Sequence, residues 1–222
     1  MDRTVSILLV AEDFLGLAFG RRLVQEHGPL LAIWRETNTH GCGAIRRDVL
    51  KYDQAARNGL QVLLLTDLDS RPCCPLLFNE WFGKGRMPHP NMLLRICVRE
   101  AEAWLMADPE PLARLLRVPA ARMPLHPEDL GDPKRTLIDL AARAPTRVRN
   151  GLLPETRSTA RIGPDYNALL CPLVETKWDI AKAATRAPSL AKARQRVAEL
   201  AARVTERGSD TSPDHPRLDT QA

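Results

Sequence analysis

Apolar residues come in short continuous runs, separated by stretches of helical period. Residues 4–11, TVSILLVA, are β-branched and apolar at successive positions, as in a parallel strand buried on both faces. FLGLAFGRRLVQEHG (14–28) follows at helical spacing and stops at Gly28. PLLAIWRE (29–36) predicts a second strand and TNTHGCG a loop. AIRRDVLKYDQAARNG (44–59) predicts a helix with Leu50, Ala55 and Ala56 inward and a stop at Gly59. LQVLLLTD (60–67) is a third strand, and NMLLRICV (91–98), after a loop rich in Gly and Pro, a fourth.

Strands alternating with helices predict an α/β domain: a mostly parallel, Rossmann-like sheet flanked by helices, with right-handed crossovers. In such sheets functional side chains gather at the carboxyl ends of the strands. Beyond residue 104 the pattern turns to helix and loop. Asp108-Pro109 and Asp132-Pro133 read as cap and first helical residue of helices over 108–118 and 132–144. Two more helices are predicted over 165–185 and 189–207. Residues 1–107 thus form an α/β core, 108–207 a helical extension completing the same domain, and 208–222 a polar, disordered tail.

Composition changes this picture little. A hydrophobic content of 44% supports a real core, and aromatics at 5% leave it to Leu, Val, Ala and Ile. The net charge of +5 leans mildly toward polyanionic partners. Five cysteines, with Cys73 and Cys74 adjacent and Cys97 in an apolar run, suit neither a disulfide framework nor a zinc knuckle. Glu12 and Asp13 follow the first apolar run too closely for a signal peptide, and no run reaches the ~20 residues of a membrane span. The expectation is a soluble, cytoplasmic protein with no membrane contact.

The candidate chemistry is acidic. Glu12, the pair Asp67/Asp69 and the pair Glu100/Glu102 follow three separate strands. Side chains alternate on a strand, so Asp67 and Asp69 are expected to share one side. Two carboxylates held together call for a metal ion, an arginine or open solvent. Magnesium takes oxygen ligands and keeps several waters, and two such ions can clamp a phosphodiester. Strand-to-helix turns also favour Asp and Glu as caps, which accounts for any one of these acids taken alone; all three groups at one sheet edge favour metal. Glu100 and Glu102 share a face if the strand continues through REAEAW, and diverge by about 200° if a helix starts there. Trp104 reads as core.

Arg143, Arg147, Arg149, Arg157 and Arg161 fall in a stretch whose one acid is Glu155. They are candidates for phosphate contacts, or a solvated loop. Lys134 opens a helix after a proline and is a candidate anion contact. The histidines have no ligand spacing.

ILLVAEDF with a later strand ending in Asp67 superficially resembles a phosphorylation receiver domain. The fourth strand, however, ends without Ser or Thr, no Lys-Pro follows a fifth strand, and Asp69 has no role there. A Glu after the first strand and Asp-x-Asp after a later one resemble the Toprim domain instead, the catalytic core of topoisomerases, primases and overcoming-lysogenization-defect nucleases. More narrowly, TDLDS, VREAEAWLMAD, DPKR and GPDYN, in that order, resemble the DUF4276 group of small bacterial Toprim-like proteins, over roughly residues 4–180.

The resemblance implies that Glu12 binds metal or acts as acid/base, and that Asp67 and Asp69 hold Mg2+ or Mn2+. Glu100 and Glu102 would complete the site, Glu100 in catalysis and Glu102 at the metal. The first motif departs from the pattern: relatives read Glu-Gly, whereas Asp13 follows Glu12 here and lacks the freedom of glycine. The chain is short for a topoisomerase, and its tyrosines are Tyr52 and Tyr166 alone. What remains implied is a metal-dependent nuclease acting on nucleic acid, DNA before RNA. The alternative is a catalytically degenerate regulatory or binding subunit. No P-loop occurs, so ATP use would come from a separate AAA- or ABC-type ATPase subunit in a phage-defence module.

Overall fold

The computed structural model describes residues 4–156 and 158–209. The apolar runs form four strands, β1 (Val5–Ala11), β2 (Leu31–Asn38), β3 (Gln61–Asp67) and β4 (Met92–Cys97). All pair in parallel, in the order β2-β1-β3-β4. Ile7, Leu9, Leu63 and Leu65 face one core, while Leu8, Val10, Val62 and Leu64 face a second. Burial on both faces is why these strands read as continuous apolar runs rather than alternating ones. The fold is α/β and Rossmann-like. In β2 the pairing with β1 slips between Ile7 and Leu8, leaving Trp34 opposite no residue and 55% exposed.

The first core is closed by α1 (Phe14–Gln25), the second by α2 (Cys42–Arg57) and α3 (Cys74–Phe82). In α2 the inward stripe is Ile45, Val49, Asp53 and Ala56. Leu50, expected inside, is 59% exposed because it lies one residue, or about 100°, off that stripe; Ala55 is half-buried. Asp53 holds its place in the stripe by accepting from the His89 N–H (2.6 Å) and Arg57 Nε (3.0 Å). The α3 helix stands where the sequence reads as loop. Its Pro75 sits in the first turn, where a missing N–H costs nothing, and Leu77, Trp81 and Phe82 are its buried face.

After β4 the core segment ends in α4 (Ala101–Ala107), and the extension folds into α5 (Pro109–Leu116), α6 (Pro133–Ala141), α7 (Thr146–Leu152), α8 (Tyr166–Thr176), α9 (Ile180–Ala184) and α10 (Pro188–Ser209). Trp104 of α4 and Tyr166, Trp178, Leu190 and Val197 of the extension share one core with α1 and the strands. Trp104 is fully buried, edge-on to Phe19 at 5.6 Å. The single helix expected over 165–185 is two. Asp179 restarts it by accepting from the Ala181 and Lys182 N–H groups, a local bond that competes with helix continuation. Asp132 caps α6 as expected, accepting from the Arg135 N–H at 2.7 Å. Asp108 stands at the N-cap of α5 as expected, but its side chain makes no capping bond; its Oδ2 accepts from the Asp179 N–H instead. The α10 helix extends through Gly208 and Ser209, the first residues of the expected tail; residues 210–222 lie outside the described residues. No described helix is long and apolar enough to cross a membrane.

After α7 the chain folds back on itself: Gly163 and Asp165 N–H groups donate to the Leu152 and Gly151 carbonyls (2.8 and 2.9 Å). A Cβ on Gly163 would lie 2.4 Å from the Gly151 carbonyl oxygen, a backbone atom that cannot swing away. Gly163→Ala is therefore expected to cost about 1–3 kcal/mol by overpacking, read as a lower urea midpoint. Gly131→Ala, whose Cβ would meet nothing within 4 Å, is the control and should stay within about 0.5 kcal/mol of wild type.

Candidate functional site

The central strands β1 and β3 end side by side, with Ala11 opposite Leu65. Glu12 follows one and Asp67 closes the other. Glu12 Oε1 accepts from the Thr66 hydroxyl and from the Asp67 N–H (2.8 Å). Asp67 Oδ1 accepts from the N–H of Ala101 (2.9 Å), the first residue of α4, a donor that the helix itself leaves unpaired. Between the two carboxylates, with Asp13, Thr66 and the Gly16 backbone on its walls, is a cavity of about 10 Å³, roughly the room of one water. Burial, with further repulsion from Asp69 and Asp13, pushes the Glu12 carboxyl up despite its two hydrogen bonds. Burial, then repulsion from Glu102 and Glu12, holds Asp67 well above the usual carboxylate range.

Asp69 does not line the cavity with Asp67. The Leu68 and Asp69 N–H groups still donate to Cys97 and Arg99 carbonyls (2.9 Å each), but Asp69 has left-handed backbone, φ +54, and alternation stops there. Its carboxylate is 41% exposed and faces Arg71 at 3.6 Å. Arg99 is also left-handed, φ +61, and its guanidinium donates to the Asp69 and Arg71 carbonyls (3.2 and 2.9 Å). Paired left-handed non-glycine residues are uphill and concentrate at functional turns.

Asp13, expected to want glycine's freedom, does not need it. Its backbone is extended, φ −148, and its Oδ1 caps α1 by accepting from the Gly16 N–H at 2.8 Å. The residue that stands after Glu12 is spent on starting a helix.

Because α4 starts at Ala101, Glu100 and Glu102 diverge. Glu100 Oε2 accepts from the Lys134 N–H (2.8 Å), and its Oε1 lies 3.9 Å from Arg161. Glu102 is fully buried. Its Oε1 accepts from the Tyr166 hydroxyl (2.7 Å) and lies 3.4 Å from Lys134 Nζ; its Oε2 is buried without a partner. Burial raises the Glu102 carboxyl, against the pull of Lys134 and Tyr166. Burial opposes the Lys134 charge, but Glu102, Glu100 and Asp67 outweigh it and hold the ammonium protonated. Lys134, read from sequence as an outward anion contact, is thus turned inward with 18% of its side chain exposed. Tyr166, in GPDYN, and Thr66, in TDLDS, are site residues that sequence reasoning passed over. Their hydroxyls lie within quoted motifs, which was the available signal.

The arginines divide. Arg143 is exposed beyond α6. Arg147 and Arg149, on α7, line a cleft of about 640 Å³ with Asn150, Thr156 and Asp165. Arg161 bridges Glu100 and Asp132, the latter at 3.2 Å. Arg157 lies outside the described residues.

Among the described residues no three His, Cys, Asp or Glu side chains converge as a ligand set. Magnesium commonly binds through one or two carboxylates and completes its octahedron with water. The hard oxygen donors of Glu12 and Asp67, both destabilised as anions and both lining one small cavity, fit an ion of that kind. Asp69 joins them only after leaving Arg71. In comparisons with protein-family models, curated proteins and solved structures, nothing matches this chain.

Proposed function

We propose that the chain is a Mg2+- or Mn2+-dependent phosphodiester hydrolase acting on nucleic acid, of the Toprim-like kind its motifs resemble. One observation carries the reading. Two half-buried carboxylates, Glu12 and Asp67, end neighbouring central strands and share a cavity in which, among the described residues, no cation pairs with them directly.

An ion held there would supply a hydroxide from bound water and offset charge on the phosphoryl oxygens. The chain's own part is positional. Thr66 and the Asp67 N–H orient Glu12, and the Ala101 N–H orients Asp67. Asp69 waits at the rim. Glu100 fixes the start of α6 through the Lys134 N–H. Arg147 and Arg149 at their cleft, with Arg143 and Arg161, would hold substrate phosphates. In this reading the protein works in the cytoplasm, on DNA before RNA, and any ATP-driven gating comes from a separate ATPase subunit.

The test is nicking of supercoiled plasmid by purified protein. Nicking with Mn2+ or Mg2+, abolished by EDTA, supports the reading. If the protein binds Mn2+ without nicking, cleavage is gated by the partner. A protein that neither nicks nor binds Mn2+ is the non-cutting binding subunit, and the hydrolase reading falls.

A further inference from the structure

We propose that this site takes one divalent ion per chain, and that the Lys134 ammonium stands permanently where a second ion would otherwise be needed. The proposal rests on the metal-dependent reading above and specifies its stoichiometry.

Three carboxylates lie near the strand ends: Glu12 and Asp67, half-buried, and Glu102, fully buried. Of the three, Glu102 alone has a cation among the described residues beside it, Lys134 Nζ at 3.4 Å, together with the Tyr166 hydroxyl at 2.7 Å. It does not line the cavity shared by Glu12 and Asp67. The lysine is anchored at both ends of its reach. Its backbone N–H donates to Glu100 in the first turn of α6, a turn already fixed by Pro133 and by Asp132. Its side chain then runs inward to Glu102.

Of these three carboxylates, Glu102 is offset by Lys134. Glu12 and Asp67 remain, two negative charges, which is the charge of one dication; Asp13, also on the cavity wall, is held by the Gly16 N–H, and Arg161 offsets one of Glu100 and Asp132. An ion seeking Glu102 would sit within a few ångströms of a fixed ammonium, in surroundings that screen poorly. Lys134 is therefore a positioning and charge-balancing residue, and Glu102 is its partner rather than a metal ligand.

The experiment is an electron paramagnetic resonance titration with Mn2+, counting bound ions in the wild-type chain, in Asp67→Asn and in Glu102→Gln/Lys134→Met. The double variant removes a charge pair together and leaves the site's net charge unchanged; circular dichroism confirms that each variant is folded. The wild type should bind one Mn2+. The double variant should still bind one, with affinity within about threefold, because a closed ion pair is replaceable by a neutral one. Asp67→Asn should lose at least about tenfold in affinity. Two ions in the wild type would overturn the proposal and leave the metal-dependent reading standing. So would a folded double variant whose affinity drops more than about tenfold, since Glu102 would then be a ligand. No Mn2+ bound by the wild type would defeat the metal-dependent reading itself, and this proposal with it.

Discussion

Asp67→Asn is expected to abolish Mn2+-dependent nicking and, at the same time, to raise the melting temperature. The amide oxygen can keep the bond from the Ala101 N–H, so the geometry survives while the charge goes. Without a full carboxylate, an ion loses one of its two protein ligands and several kcal/mol of transition-state stabilisation, a rate loss of about 10³ or more. Stability moves the other way, because the Asp67 charge is buried and repelled by Glu102 and Glu12. Removing such a charge typically yields about 1 kcal/mol, or about 2–4 °C for a chain of this size.

The pH dependence follows from the same groups. Glu12, Asp67 and Glu102 all have folded values above the ordinary carboxylate range near 4. The folded state therefore holds their protons after the unfolded state has released them. Their contribution is full below about pH 4 and is lost as pH rises toward the raised folded values. Exposed acids act in another window: Asp48, pulled down to about 2 by Arg47 and Lys51, loses its contribution only as pH falls toward 2. Melting curves in EDTA should thus fall from pH 5 to pH 7, less steeply in Asp67→Asn, and Mn2+ should restore the wild type near neutrality. A melting temperature that climbs with pH over that range would remove the electrostatic argument for the site.

Trp104→Ala should cost about 3–5 kcal/mol, the range for deleting a fully buried aromatic. That is a large share of the about 5–15 kcal/mol that holds most domains together. The indole packs edge-on to Phe19, and its Nε1 donates to Ser189 Oγ at 2.7 Å. The same hydroxyl accepts from the Val98 N–H (3.2 Å) and donates to Glu128 (2.6 Å). The end of β4, the helix α4 and the start of α10 therefore meet at one side chain. Urea unfolding should show a midpoint shift at unchanged slope. A loss under 1 kcal/mol would mean that these elements are joined elsewhere.

What could be read from the sequence was what repeats. TVSILLVA and LQVLLLTD announce strands because both faces of the sheet are covered, and REAEAWLMAD places its tryptophan in the core. The acids gather at the carboxyl edge for a topological reason that alternation of strands and helices already contains. What could not be read depends on single dihedrals or on long reach. The left-handed turn at Asp69 breaks an alternation that nothing in TDLDS announces. Lys134 meets Glu102 from 32 positions along the chain, and no local rule says that its ammonium turns inward. CPLLFNEWF hides a helix because its proline reads as a breaker until the buried Leu77, Trp81 and Phe82 are seen on one face.

The unpaired Trp34 has a consequence for the chain in a crowded solution. As β2 is an outer strand, its free side is one place where another sheet could add a strand and begin a polymer. A slip in pairing twists such a margin and spoils the regular spacing of donors and acceptors that a growing fibre must match. The bulky indole at that slip, followed by Arg35 and Glu36, makes the margin a poor template. A feature that looks like a fault in the sheet thus leaves this margin hard to extend.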